Sequence, residues 1–181
     1  MCAIKSLAGE IKKEAERYGD DDPILAFIDM HGHSRKKNVF IYGPYYPLHD
    51  GRFLQMRVLP QLLADKTQMF RYFSCKFRIE KEKRRAARLV LWREFGIMNC
   101  FTLEASFHGY LNKERETVVF TTEAWEKMGG QFCSTLYEYL LILDNFERKR
   151  ELRRQLRTRV RDSTPFGLER DRNQGDPLSS A

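Results

Sequence analysis

The stretch PILAFIDMHGHSRKKNVFIYG, Pro23 to Gly43, decides the fold. It opens with PILAFIDM, a continuous apolar run too short for an ordinary helix and rich in Ile and Phe, which predicts a strand buried on both faces. Two histidines, a serine and the cations Arg35, Lys36 and Lys37 follow directly, and a second short strand is expected from Lys37 to Gly43. Upstream, Ala3 to Tyr18 repeats Ile4, Leu7, Ile11 and Ala15 at helical spacing among lysines and glutamates. A helix feeding a buried strand predicts an α/β layer.

The remainder extends that layer. RFLQMRVLPQLLA after Gly51 has helical periodicity, with Pro60 expected to kink or split it. FSCKFRIE from Phe73 alternates like a surface strand, and AARLVLWREF from Ala86 reads as a helix ended by Gly96. NCFTLEASF from Asn99 is strongly strand-like and holds Glu104 in its interior. A long helix is expected from an N-cap at Thr122 to about Phe146, with Gly129 and Gly130 marking a close approach or a break. The arginine-rich residues 147–161 predict a basic C-terminal helix, and the Pro- and Gly-containing residues 162–181 a disordered tail, so the folded unit is expected to end near Arg161.

With 42% hydrophobic and 13% aromatic residues over 181 positions, one ordinary core is within reach. The net charge of +7 favours an acidic partner: nucleic acid, an anionic membrane surface or an acidic polypeptide. There is no apolar run of about 18 residues and no charged-then-apolar leader pattern, so no membrane partner and no export are expected. The cysteines at 2, 75, 100 and 133 lack paired close spacing, which argues against a disulfide framework or a cysteine zinc site and fits the reducing cytoplasm.

A few residues ask for chemistry. Glu104 sits among residues that want burial, where a carboxylate costs several kcal/mol to desolvate unless a partner or a cleft receives it. His31 and His33 are two apart and point the same way in an extended segment; they could be joint metal ligands, a ligand with a supporting group, or polar residues closing a strand. Arg88, within an apolar helix pattern, must find a carboxylate such as Glu94 or a cleft. His49 and His108 suggest no role.

Together, FIDMHGHSRKKNVFIYG and LVLWREFGIMNCFTLEASFHG, with the spacing between them, closely resemble the cytosolic carboxypeptidases, zinc enzymes that trim glutamates from tubulin and other acidic tails. The resemblance runs from about Pro23 to Leu143. It implies a partial mixed sheet flanked by helices, with the catalytic domain's C-terminal half lying in residues 1–146. It also implies His31 as a Zn2+ ligand, Glu104 as the catalytic base and acid, His33 and Ser34 lining the cleft, and Arg88 receiving an acidic substrate side chain. Before Arg88, the stretch EKEKRRAA departs from the family's glycine-containing loop.

The family's H-x-x-E motif, source of two further zinc ligands, is absent, as is its asparagine-arginine clamp for the substrate's terminal carboxylate. The expectation is therefore an incomplete catalytic domain, from a clipped or split gene in preference to a truncated isoform or a degenerate relative. An inactive basic module docking on acidic protein tails is the alternative. Nucleic acid is the weaker candidate, because no interleaved aromatics accompany the arginines.

Overall fold

The computed structural model describes residues 2–19, 23–144, 150–151 and 154–158. The elements run α1 (Cys2–Glu16), β1 (Ala26–His33), β2 (Val39–Tyr42), α2 (Gly51–Lys66), α3 (Ala87–Phe95), β3 (Asn99–Ser106), β4 (Tyr110–Leu111), β5 (Thr117–Val118) and α4 (Thr122–Asp144). Single 3-10 turns at Tyr72–Ser74 and Lys81–Lys83 lie in the long connection before α3. This is the mixed α/β architecture expected: β1, β3 and β2 form one sheet in that order, β1 parallel and β2 antiparallel to β3.

The central strand β3 is buried nearly throughout, with Phe101 and Leu103 in the core, and the short β2 is buried at all four positions. β1 is different. The expectation of burial on both faces fails, since Leu25 and Met30 are exposed, Met30 to 64%. The cause is topological: β1 is an edge strand with no bridge on its outer side among the described residues, whereas β2, the other edge, is covered by bridges to Phe70 and Lys76.

Local chemistry explains the boundaries. Asp50 caps α2 by accepting from the Arg52 amide at 2.8 Å. Pro60 does not split α2, which runs through it as one element; its flanks Val58, Leu59 and Gln61 are buried, and packing of α2 on α4 outweighs the lost backbone bond. Gly96 ends α3 in the left-handed region at φ 67°, as expected. The strand expected from Phe73 is not formed: the segment makes only an isolated bridge, Tyr42 with Lys76, and is otherwise turn and irregular backbone.

α4 begins one residue earlier in its cap than expected, with the Thr121 hydroxyl accepting from the Ala124 amide at 3.2 Å. Gly129 and Gly130 cause neither a break nor a close approach, because a Cβ at either would meet nothing within 4 Å. Gly109, in contrast, is required: at φ 100° its Cβ would collide with the Val118 carbonyl. Of the basic helix expected at 147–161, positions 150–151 and 154–158 are helical and the rest lies outside the described residues, as does the expected tail at 162–181. Leu156 is buried in the main core, so this segment contributes to packing.

One polar chain ties the layers together. Tyr139 of α4 donates to the Asn99 side chain at 2.8 Å, and Asn99 donates to the Leu25 carbonyl just before β1 at 2.8 Å. Both bonds are lost in Asn99→Ala, which removes the Asn99 side-chain partner of the Tyr139 hydroxyl and of the Leu25 carbonyl. Chemical denaturation should show a loss of about 1–3 kcal/mol; an unchanged midpoint would remove this tie from the account.

Candidate active site

Strand pairing builds the site. In the β1–β3 ladder His31 is the register partner of Glu104, and His33 of Ser106, while on the other side Phe40 of β2 is opposite Glu104 and Tyr42 opposite Thr102. Register partners share a face of the sheet, and so do residues two apart along a strand. One face therefore presents Asp29, His31 and His33 from β1, Thr102 and Glu104 from β3, and the rings of Phe40 and Tyr42 from β2. Two sequence motifs about 70 positions apart meet here.

His31 is well exposed, its side chain 54% accessible, and its Nε2 lies 2.8 Å from Asp29 Oδ1. That contact orients the ring and leaves Nδ1 without a described partner. Asp29 was not singled out from sequence, although its place two residues before His31 on a strand was the available signal. His33 is held differently: its Nδ1 accepts from the Arg35 and Lys36 amides at 3.1 and 3.0 Å, which puts the proton of the neutral ring on Nε2. Burial lowers its pKa, opposed chiefly by the Glu104 charge. Ser34 is exposed, and its carbonyl is engaged by His108 Nε2 at 2.6 Å, which gives His108 a role in closing the loop after β1.

Glu104 is 8% exposed, and among the described residues its carboxylate has neither a hydrogen bond nor an ion pair. The ordinary explanation of such a residue, a structural salt bridge, is absent. Arg88 presents the matching anomaly. It is 6% exposed, its Nη1 donates to the Thr102 hydroxyl at 3.1 Å, and its Nε is buried without a partner. No described carboxylate lies within ion-pair distance of it; Glu94, the partner considered from sequence, bonds Lys5 instead. Arg88 also occupies the first turn of α3, where the helix dipole is positive and no acid offsets it.

Burial lowers the Arg88 pKa, with Glu104 the largest opposing influence, and raises that of Tyr42, again assisted by Glu104. The guanidinium carbon stands 5.6 Å from the Tyr42 ring centre. A carboxylate and a guanidinium are thus both buried toward one face, and among the described residues neither is in an ion pair. This is a site that can bind an anion at Arg88 and move a proton at Glu104.

Metal binding is tested by the donors present. Among the described residues no group of three His, Cys, Asp or Glu side chains could hold an ion, and a zinc site needs three protein donors. His31 and its neighbours alone do not fit a resident zinc.

No family model matches the chain. Cytosolic carboxypeptidase 2 of Xenopus tropicalis is 38% identical over 117 residues, and cytosolic carboxypeptidase 3 of Mus musculus 38% over 120 residues; each match covers 64% of this chain and 12% of the relative. Cytosolic carboxypeptidase 2 of Danio rerio is also 38% identical, with 16% of it covered. The crystal structure of a metallo-carboxypeptidase from Burkholderia cenocepacia superposes with a TM-score of 0.53 at 17% identity, over 65% of this chain and 31% of that one.

The fold is that of part of a metallocarboxypeptidase. Within this class, the matched part of the chain is homologous to the cytosolic carboxypeptidases, and the chain spans only 12–16% of the length of these relatives.

If Arg88 is kept for a ligand, removing it should not harm the fold. Arg88→Met is expected to leave stability unchanged or raise it by up to about 2 kcal/mol, since an unpaired buried charge is relieved. A loss of about 3 kcal/mol or more on denaturation, the mark of a broken buried ion pair, would make Arg88 structural.

Proposed function

We propose that this chain carries part of the catalytic centre of a cytoplasmic zinc metallocarboxypeptidase that removes C-terminal or side-chain glutamates from acidic protein tails such as those of tubulin. The observation that carries the proposal is the pair of uncompensated buried charges, Glu104 and Arg88, on the sheet face that also presents His31. Neither charge serves the fold, and each suits one requirement of the reaction.

Glu104 takes a proton from the attacking water and delivers it to the leaving amine. Its seat between the β1 histidines and the β2 rings limits water around it, which strengthens its interaction with charge in the cleft. Arg88 receives the carboxylate of a substrate glutamate, for which its planar fork is suited. His33, its Nδ1 occupied, offers Nε2–H to the substrate, and Ser34 lies at the mouth of the same loop. His31, steadied by Asp29, is the zinc donor this chain contributes. Because one imidazole does not hold the metal, no chemical step through zinc is drawn on this chain alone.

The zinc-depleted chain, titrated with zinc, should show no tight stoichiometric uptake and no glutamate release from a polyglutamate peptide. Both together in the isolated chain would overturn the incomplete site. Complemented in trans by an H-x-x-E-bearing segment of a cytosolic carboxypeptidase, it should release glutamate, and Glu104→Gln should lower that rate roughly 10²–10⁴-fold. Equal rates would remove Glu104 from the reaction. A second reading, an inactive module docking on acidic tails, draws on the exposed cations of the C-terminal helical segment, Arg154 and Arg157. Salt-sensitive binding to acidic tails that survives Glu104→Gln, with no activity after complementation, would favour it.

A further inference from the structure

Beyond Arg88, three lysines converge on the same aromatic ring. Lys36 Nζ lies 5.4 Å from the Tyr42 ring centre, Lys83 Nζ 5.0 Å and Lys76 Nζ 5.9 Å, with the Arg88 guanidinium at 5.6 Å. Cation–π attraction is worth roughly 0.5–2 kcal/mol per pair, too little to gather four like charges around one ring without a further reason. The available compensation is small: Glu80 holds Lys76 at 3.1 Å and Lys83 at 4.0 Å but also Arg78 at 3.5 Å. Lys36 has no carboxylate within ion-pair distance among the described residues, its ammonium reaching only the Ser74 carbonyl at 3.4 Å and standing 4.7 Å over Phe40. Burial lowers the Lys36 pKa, and Lys76 is the charge that lowers it most.

The cluster is assembled from separate parts of the chain. Lys36 follows β1, Lys76 bridges to Tyr42 through the backbone, Lys83 sits in the 3-10 turn before α3, and Arg88 opens α3. Lys83 belongs to EKEKRRAA, where the sequence leaves the family pattern, so it is not inherited from the resemblance. Beside these cations stands Arg88, 6% exposed and with its buried Nε unbonded, an independent donor aimed at the same place.

The geometry points to a second anion subsite formed by Lys36, Lys76 and Lys83 around Tyr42, which takes the anionic group next to the one held by Arg88, so that the site reads paired anions instead of single ones. The inference rests on the reading of Arg88 given above and adds a specificity to it: a ligand with two neighbouring carboxylates binds through both subsites, a ligand with one through Arg88 alone. The shared chemistry is a pair of adjacent oxyanions, supplied by consecutive glutamates of a peptide or by a diphosphate.

Calorimetric titration of the full chain at fixed ionic strength separates these sources. The probes are N-acetyl-Glu-Glu, N-acetyl-Gln-Glu and inorganic pyrophosphate. The variants are Lys36→Gln/Lys76→Gln/Lys83→Gln, a control with equal charge loss at the exposed Lys13, Lys113 and Lys127, and Arg88→Met. Wild type should prefer the Glu-Glu peptide roughly tenfold, the size of one charge-assisted hydrogen bond. The site variant should bring that preference within twofold, the control should keep it, and Arg88→Met should weaken both peptides. No preference in wild type, or equal loss in the control, overturns the subsite. Pyrophosphate binding weakened in both the site variant and Arg88→Met but kept in the control, with neither peptide bound, upholds the subsite while overturning the acidic-peptide reading. Failure of wild type to bind any probe overturns the subsite.

Discussion

The parallel pairing of β1 with β3 is the constraint on which the rest depends. The register of a strand pair decides which side chains share a face, and a slip of one residue would send every side chain of the slipped strand to the other face. Here the register is fixed by apolar residues such as Phe101 and Leu103 burying on one side, and the consequence on the other side is that His31 stands next to Glu104. β2 then closes from the opposite edge with Phe40 and Tyr42, and α3 places Arg88 over Thr102. Core packing thus sets the geometry of the polar face.

The polar face itself gives little to stability. Among the described residues, a buried carboxylate with no partner, a buried guanidinium with one neutral hydrogen bond, and three lysines around one ring each oppose folding through desolvation or like-charge repulsion. Such groups persist where binding, and not folding, uses them, which is the usual trade between a stable core and a working site. His31, on the edge strand β1 and exposed, stands where that face has no described strand beside it.

Much of this was legible in the sequence, for physical reasons that differ between elements. β3 and α3 follow from local pattern: an apolar run with one embedded acid, and a helix stopped by a glycine whose left-handed backbone ends it. The conjunction of His31 and Glu104 came from the family resemblance, and the register supplies the contact that neither motif could express. Burial of β1 was misjudged because an apolar run records what a strand prefers, not which neighbours it has. The alternation from Phe73 to Glu80 suggested a strand, yet Lys76 and Glu80 turn toward Tyr42 and each other, so side-chain contacts shape the segment. The lysine cluster was invisible because its members come from three separate stretches of the chain and meet only through Tyr42.

The central claim is that the Arg88 guanidinium, buried beside Glu104 on the β1–β3 face, is kept for a ligand's carboxylate. A crystal structure of the chain grown with glutamate tests it most directly. The account predicts a glutamate carboxylate on Arg88, stacked near Tyr42 and facing Glu104 and His31. Arg88 found paired with one of the chain's own carboxylates, with glutamate excluded from that face, would contradict it.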